Sequence, residues 1–133
     1  MSQENVEIAK RGYDAFNRRD LDVVDELCIP GYEFFPALVG TVDGGGYRGR
    51  EGLARYFAMV SDTWEELYLI GEEFRDLGDR VLVLGRLEGR GRGGRVPVET
   101  PQGSIIELCG GKISCVRTYL DHGEALRAAG LEE

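Results

Sequence analysis

A chain of 133 residues with 42% apolar and 30% charged side chains is long enough to bury a single core, and too apolar for disorder. Its formal net charge of −8 repels phosphate backbones and anionic lipid, which argues against nucleic-acid and membrane-surface partners. One histidine, His122, and three cysteines without metal-ligand spacing, Cys28, Cys109 and Cys115, leave no His-rich zinc centre and no histidine-assisted triad that bypasses His122.

Along the chain, Ser2 offers an N-cap, and Val6, Ala9, Tyr13 and Phe16 recur at spacings of three and four, which predicts a helix ending near Asn17. Asp20 caps a shorter helix with the apolar stripe Leu21, Val24, Leu27 and Cys28, stopped by Pro30 and Gly31. Tyr32 to Phe35 has strand character, and Pro36 to Gly49, with three consecutive glycines, reads as a mobile loop. Helical spacing returns over Arg50 to Ser61 through Leu53, Tyr56, Phe57 and Val60, with Gly49 at the cap. Four strands follow: Glu66 to Phe74, Arg80 to Arg90, Val96 to Leu108 and Lys112 to Leu120. The glycine turns between them predict antiparallel pairing in chain order, and Pro97 and Pro101 predict a third strand that is bulged or lies partly at an edge. A last short helix covers Gly123 to Ala129.

Alternation places Val81, Val83 and Leu87 on one sheet face and Leu82 and Leu84 on the other. The last strand splits into Ile113, Cys115 and Tyr119 against Val116 and Leu120. Both faces are apolar, where a sheet with one solvated face alternates more cleanly. The expectation is therefore that helices cover one face and a second copy of the chain covers much of the other, a homodimer through the sheet. No apolar run opens the chain, and no P-loop or dinucleotide fingerprint is present, so the expectation is one cytoplasmic domain over residues 1–133, with no cofactor, no metal and reduced thiols.

The local words sharpen this outline. Glu4-Asn5-Val6-Glu7 leading to Tyr13-Asp14-Ala15-Phe16-Asn17-Arg18-Arg19-Asp20-Leu21-Asp22, then Tyr47-Arg48-Gly49-Arg50-Glu51-Gly52-Leu53, then Gly111-Lys112-Ile113 and Arg117-Thr118-Tyr119-Leu120-Asp121, resemble the SnoaL-like, polyketide cyclase-like family of the nuclear-transport-factor-2-like superfamily. The resemblance covers nearly the whole chain and implies an α+β fold: a cone-shaped, curved antiparallel sheet wrapped around an N-terminal helical hairpin and a third helix. It specifies function poorly, since the superfamily includes isomerases, cyclases, dehydratases, epoxide hydrolases and binding proteins. The isomerase base has no counterpart, because Phe34-Phe35-Pro36-Ala37 stands in its region. The strand acid falls on Ser104, or on Gly103 with a one-residue shift. Tyr13 lies one position out of register with the isomerase's helix-one tyrosine and is a pocket wall or an oxyanion donor.

In such a cone Tyr13, Phe16, Phe34, Tyr56 and Trp64 surround the opening, with Ser104 and Val116 contributed by strands. These rings are either the walls of a site for a hydrophobic or aromatic small molecule or plain core. Arg86, Asp121 and His122 are the polar candidates. Arg86 with Asp121 or Glu107 forms either an acid-base pair or a solvated sheet-edge ion pair. Asp121 either caps the last helix or acts with His122 on a substrate proton. Arg90-Gly91-Arg92-Gly93-Gly94-Arg95 is a glycine hairpin before it is an RNA-binding repeat. Two main readings stay open, a cofactor-free acid-base enzyme and a non-catalytic ligand-binding domain, beside a third, a dimeric interaction module.

Overall fold

The computed structural model describes residues 2–37, 46–94 and 97–131. Helices α1 (Ser2–Arg18) and α2 (Leu21–Leu27) precede strand β1 (Cys28–Phe35). A two-residue strand β2 (Tyr47–Arg48), helix α3 (Gly49–Thr63), strands β3 (Trp64–Asp76), β4 (Arg80–Gly91), β5 (Val98–Cys109) and β6 (Lys112–Tyr119), and helix α4 (His122–Ala128) complete the chain. The strands form one curled, unclosed sheet in the order β2-β1-β6-β5-β4-β3, and the α+β cone expected from the sequence is what the chain adopts.

Helix α1 seats in the concave face because its inner side is small where the sheet comes closest. Ala9 and Ala15 are fully buried, and a Cβ on Gly12 would lie 3.3 Å from Ile113. The helix closes when Arg19 takes a left-handed backbone (φ 58°) and the amides of Arg19 and Asp20 return to the carbonyls of Phe16 (3.0 Å) and Ala15 (2.9 Å), a Schellman closure with arginine in the usual glycine place. Asp20 caps α2 as expected, its carboxylate accepting from the Val23 amide at 3.2 Å.

The structure corrects three boundaries. Pro30 and Gly31 do not stop a helix but lie inside β1, where the parallel register with β6 jumps from Cys28 opposite Ile113 to Glu33 opposite Cys115. Gly31 supplies the positive φ there, and proline is tolerated because a bulge removes its ladder bond. Part of the segment expected to be a loop is strand β2, pairing with Glu33 and Phe34; residues 38–45 of that segment lie outside the described residues. The α3 cap is Arg48, with Gly49 at φ 64° as the first helical residue. The expectation for β5 is met: it is central, yet its pairing with β6 begins only at Gly103, so Pro101 lies where that side has no partner strand.

Two bulges keep apolar residues on the concave face. In β3 the register with β4 skips at Glu72, so Leu67 and Leu69 before it and Phe74 after it all join the inner core with Val81, Val83 and Leu87. In β6 the skip falls at Ser114. It corrects the expected alternation: Ile113 belongs with Val116 inside, while Tyr119 packs outside with Leu82, Leu84 and Ile105.

That outer cluster is covered by α4 and the residues after it, through Ala125, Leu126, Ala129 and Leu131. The apolar outer residues that suggested a second copy of the chain are thus buried by its own C-terminal helix. Further along the same face Arg86 meets Glu88 (2.6 Å), Glu99 (3.3 Å) and Glu72, and the surface there is ionic. Gly85 lies between the two regions. A Cβ at Gly85 would stand 1.8 Å from the Ile70 carbonyl oxygen, so the crossing of β3 and β4 at the bulge requires glycine. Gly85→Ala is expected to lower stability by at least about 2 kcal/mol, read as a fall in the urea midpoint at unchanged slope.

Candidate functional site

Between α1, β1 and the inner face of β5 and β6 lies a chamber of about 70 Å³, lined among others by Tyr13, Phe16, Tyr32, Phe34, Ser104 and Val116. A smaller extension of about 10 Å³ continues past Phe16 and Phe34 to Tyr56, Gln102 and Thr118. Phe16, Phe34 and Tyr56 stack against one another with ring centroids 5.0–6.1 Å apart. They are therefore chamber wall and packed core at once.

Apart from Glu33, the polar side chains of the chamber and its extension are neutral. Tyr13 on α1 and Ser104 on β5 share a hydrogen bond of 2.7 Å, and the Gln102 amide nitrogen donates to Ser104 Oγ at 2.9 Å and to the Gly103 carbonyl at 3.1 Å. Gln102 and Ser104 are 2% and 0% exposed, so each needs the other to offset lost hydration. Burial pushes the Tyr13 phenol up to about 12, against a smaller opposing effect of its bonds to Ser104 and Gln102. Tyr32 belongs to the same lining, and its hydroxyl is buried with no hydrogen-bond partner among the described residues. Burial raises its pKa as well, with Cys28 and Asp25 adding to the effect.

Of the residues singled out from the sequence, the structure gathers Tyr13, Phe16, Phe34, Ser104 and Val116 around the chamber and Tyr56 around its extension. Trp64 lines a separate open groove. Arg86 lies in the outer ionic cluster described above, paired with Glu72, Glu88 and Glu99 and not with Asp121 or Glu107. Asp121 caps α4, accepting from the Gly123 amide at 2.8 Å. His122 Nε2 donates to the Gly85 carbonyl at 2.7 Å, which pins α4 to β4. These three residues do not line the chamber, and no catalytic pair forms between them. Glu33 borders it through β1, but it shares a face with its partner Cys115 and its carboxylate reaches Arg48 at 4.0 Å. Among the described residues no group of three or more His, Cys, Asp or Glu is placed to hold a metal ion, and no helix is long and apolar enough to cross a membrane.

Sequence reasoning missed Gln102 and Tyr32. Both were within reach of strand alternation: Gln102 is two residues before Ser104, and Tyr32 two before Phe34, each pair on one face.

A family description of a SnoaL-like domain matches residues 9–116. No curated protein matches the chain. Solved structures resemble it along nearly their full length. One is an NTF2-like protein of unknown function from Burkholderia pseudomallei (22% identity, 93% of this chain and 95% of that one, TM-score 0.77). A second is TerC co-crystallised with polyporic acid (22%, 96% and 97%, 0.76). A third, from Jannaschia sp. CCS1, carries a provisional description as a SnoaL-like polyketide cyclase (23%, 99% and 94%, 0.72). At these identities the likeness is one of fold.

The buried phenols and thiol make stability depend on alkaline pH. Tyr13 and Tyr56 are raised from 10.0 to about 12, and Cys28 from 9.0 to about 12, each chiefly by burial. A raised folded pKa means the native state holds the proton longer, so the contribution is complete below the unfolded value and is lost as pH climbs to the folded one. The urea midpoint is expected to fall from about pH 9 towards 12, and Tyr13→Phe to shallow that fall. With Tyr13, Tyr32 and Tyr56 still protonated, phenolate absorbance at about pH 10.5 is expected to account for at most half of the six tyrosines.

Proposed function

The chain belongs to the SnoaL-like domain family, and from that premise we propose that it binds a small, uncharged, largely apolar molecule carrying one or two oxygen atoms. The observation that carries this reading is the orphaned hydroxyl of Tyr32 on the chamber lining. A buried hydroxyl left without a partner costs about 1–3 kcal/mol, and a guest oxygen in the chamber offsets that cost. The Tyr13 and Ser104 hydroxyls form a second polar point on the same lining. The remaining lining is mostly apolar, so the guest's carbon surface supplies affinity while hydroxyls fix its orientation.

Size narrows the guest. At about 70 Å³ the chamber has roughly half the volume of an engineered cavity of about 150 Å³ that takes benzene. The guest is either smaller than an aromatic ring, or enters by turning Phe16 and Phe34 aside. Acid-base turnover is the weaker reading, because Tyr13, Tyr32 and Cys28 are held protonated by burial, and Glu33, the one carboxylate among the described lining residues, reaches Arg48.

Titration calorimetry with cyclopentanone and phenol tests the proposal. Tyr32→Phe is expected to weaken binding by about five- to tenfold, the loss of one neutral hydrogen bond, while leaving the free protein as stable as before or more so. Ser104→Ala is expected to weaken binding similarly. If neither probe binds at its solubility limit, or if Tyr32→Phe binds both as tightly as the parent, the chamber is a hydrated void and the reading is lost.

A further inference from the structure

Outside the chamber, bordered by residues from the end of α1, the later turns of α3 and the start of β3, lies an open groove of about 550 Å³ whose lining includes Arg19, Phe57, Trp64, Tyr68 and Arg92. That volume falls in the range of roughly 300–1,000 Å³ common to small-molecule sites. Two of its residues are cations that no carboxylate among the described residues meets. Arg19 is half-buried, and its guanidinium donates to the carbonyls of Phe16 (2.8 Å) and Leu67 (2.9 Å). Both partners are neutral, so two N–H groups of the five are used and the charge is left uncompensated. The guanidinium lies over the rings of Phe16 and Phe57, 5.4 and 5.1 Å from their centroids. Arg92 reaches only the Ser61 carbonyl and hydroxyl.

What sets Arg19 apart is its enclosure. Arg18, Arg50, Arg86 and Arg90 meet carboxylates, while Arg19 is held by two carbonyls and two ring faces. The two glutamates on the groove's lining, Glu65 and Glu66, are directed to Arg90 at 3.9 and 3.3 Å, not to Arg19 or Arg92. The left-handed backbone of Arg19 carries a cost that glycine would avoid, and that cost secures a guanidinium at this position.

We propose that the groove is a second binding site and that it takes an aromatic monocarboxylate, its ring against Phe57 and Trp64 and its carboxylate on Arg19. A planar carboxylate matches the guanidinium's remaining N–H groups, and charge-assisted bonds of this kind are the strong ones. Burial lowers the Arg19 pKa, which reports a cation short of counter-charge. Arg92 adds positive field along the same groove. The inference is independent of what occupies the chamber.

The probe is 3-phenylpropionate, with 3-phenylpropionamide as its uncharged counterpart. Trp64 is the sole tryptophan, so its indole N–H resonance reports the groove and amides of Tyr13 and Ser104 report the chamber. The acid is expected to move the Trp64 signal saturably and the amide to bind at least about tenfold more weakly. Arg19→Gly preserves the left-handed backbone while removing the guanidinium, and is expected to weaken the acid at least about tenfold; Arg92→Gln is expected to weaken it less. Ser104→Ala is expected to leave acid binding unchanged. Equal binding of acid and amide, unchanged binding in Arg19→Gly, or shifts at Tyr13 and Ser104 in place of Trp64 would each overturn the proposal. Should Arg19→Gly fail to fold by circular dichroism, the acid and amide comparison on the unaltered chain decides.

Discussion

Seating Tyr13 of α1 in the hollow of the sheet takes a phenolic hydroxyl out of water, and everything around it follows from how that hydroxyl is paired. Its partner, Ser104, comes from β5, and Gln102 closes the arrangement from two residues earlier on the same strand. Unpaired, each of these groups would cost more than its bond contributes, so the trio fixes both the rotation of α1 and the register of the strand beneath it. A second fastening holds the other end of the helix. Asn17 bonds both the amide and the carbonyl of Leu69, and Arg19 reaches the Leu67 carbonyl, so the end of α1 satisfies edge strand β3 where no further strand does.

The hollow exists because the sheet is bent at chosen places. The skips at Glu72 and Ser114 and the irregular stretch of β1 around Gly31 each add curvature, and Gly85 lets β3 cross β4 at a distance no side chain permits. These features also decide which apolar residues face inward. Without the skip in β3, Phe74 would turn outward and its edge-on contact with Tyr13 (5.8 Å) would be lost. Curvature, core composition and the helix seat are therefore one problem with one solution.

Much of this was legible in the sequence where a period runs unbroken. The faces of α1 and α3, the Asp20 cap, the antiparallel run from β3 to β6 and the inner set Val81, Val83 and Leu87 all follow from spacing alone, while the Asp121 cap was one of two open alternatives. Legibility failed where one residue breaks the period. Ser114 flips the face of every residue after it, so Ile113 and Val116 were assigned to opposite sides although they share one. Pro30 and Gly31 looked like a helix stop because proline and glycine punctuate both turns and bulges. That α4 covers Leu82 and Leu84 was not foreseen either, because seven residues signal little about where they dock. Arg86 has the same cause: alternation gave its face correctly, but not which face enclosed the chamber.

Why the chamber should be neutral and the groove charged follows from the same accounting of burial. A carboxylate or guanidinium enclosed beside Tyr13 would need a partner of opposite sign to remain ionised, and a chamber of about 70 Å³ walled by Phe16 and Phe34 has no room for both. Among the described residues the hydrogen bonds inside that wall run between hydroxyls and an amide. At the groove the constraint relaxes. There a guanidinium can keep part of its hydration, rest its faces on Phe16 and Phe57, and hold its charge without a partner. Phe16 belongs to both places, lining the chamber and carrying Arg19 over its ring. The same ring thus fills the wall of the interior on one side and carries a cation on the other, so its apolar area is buried twice over.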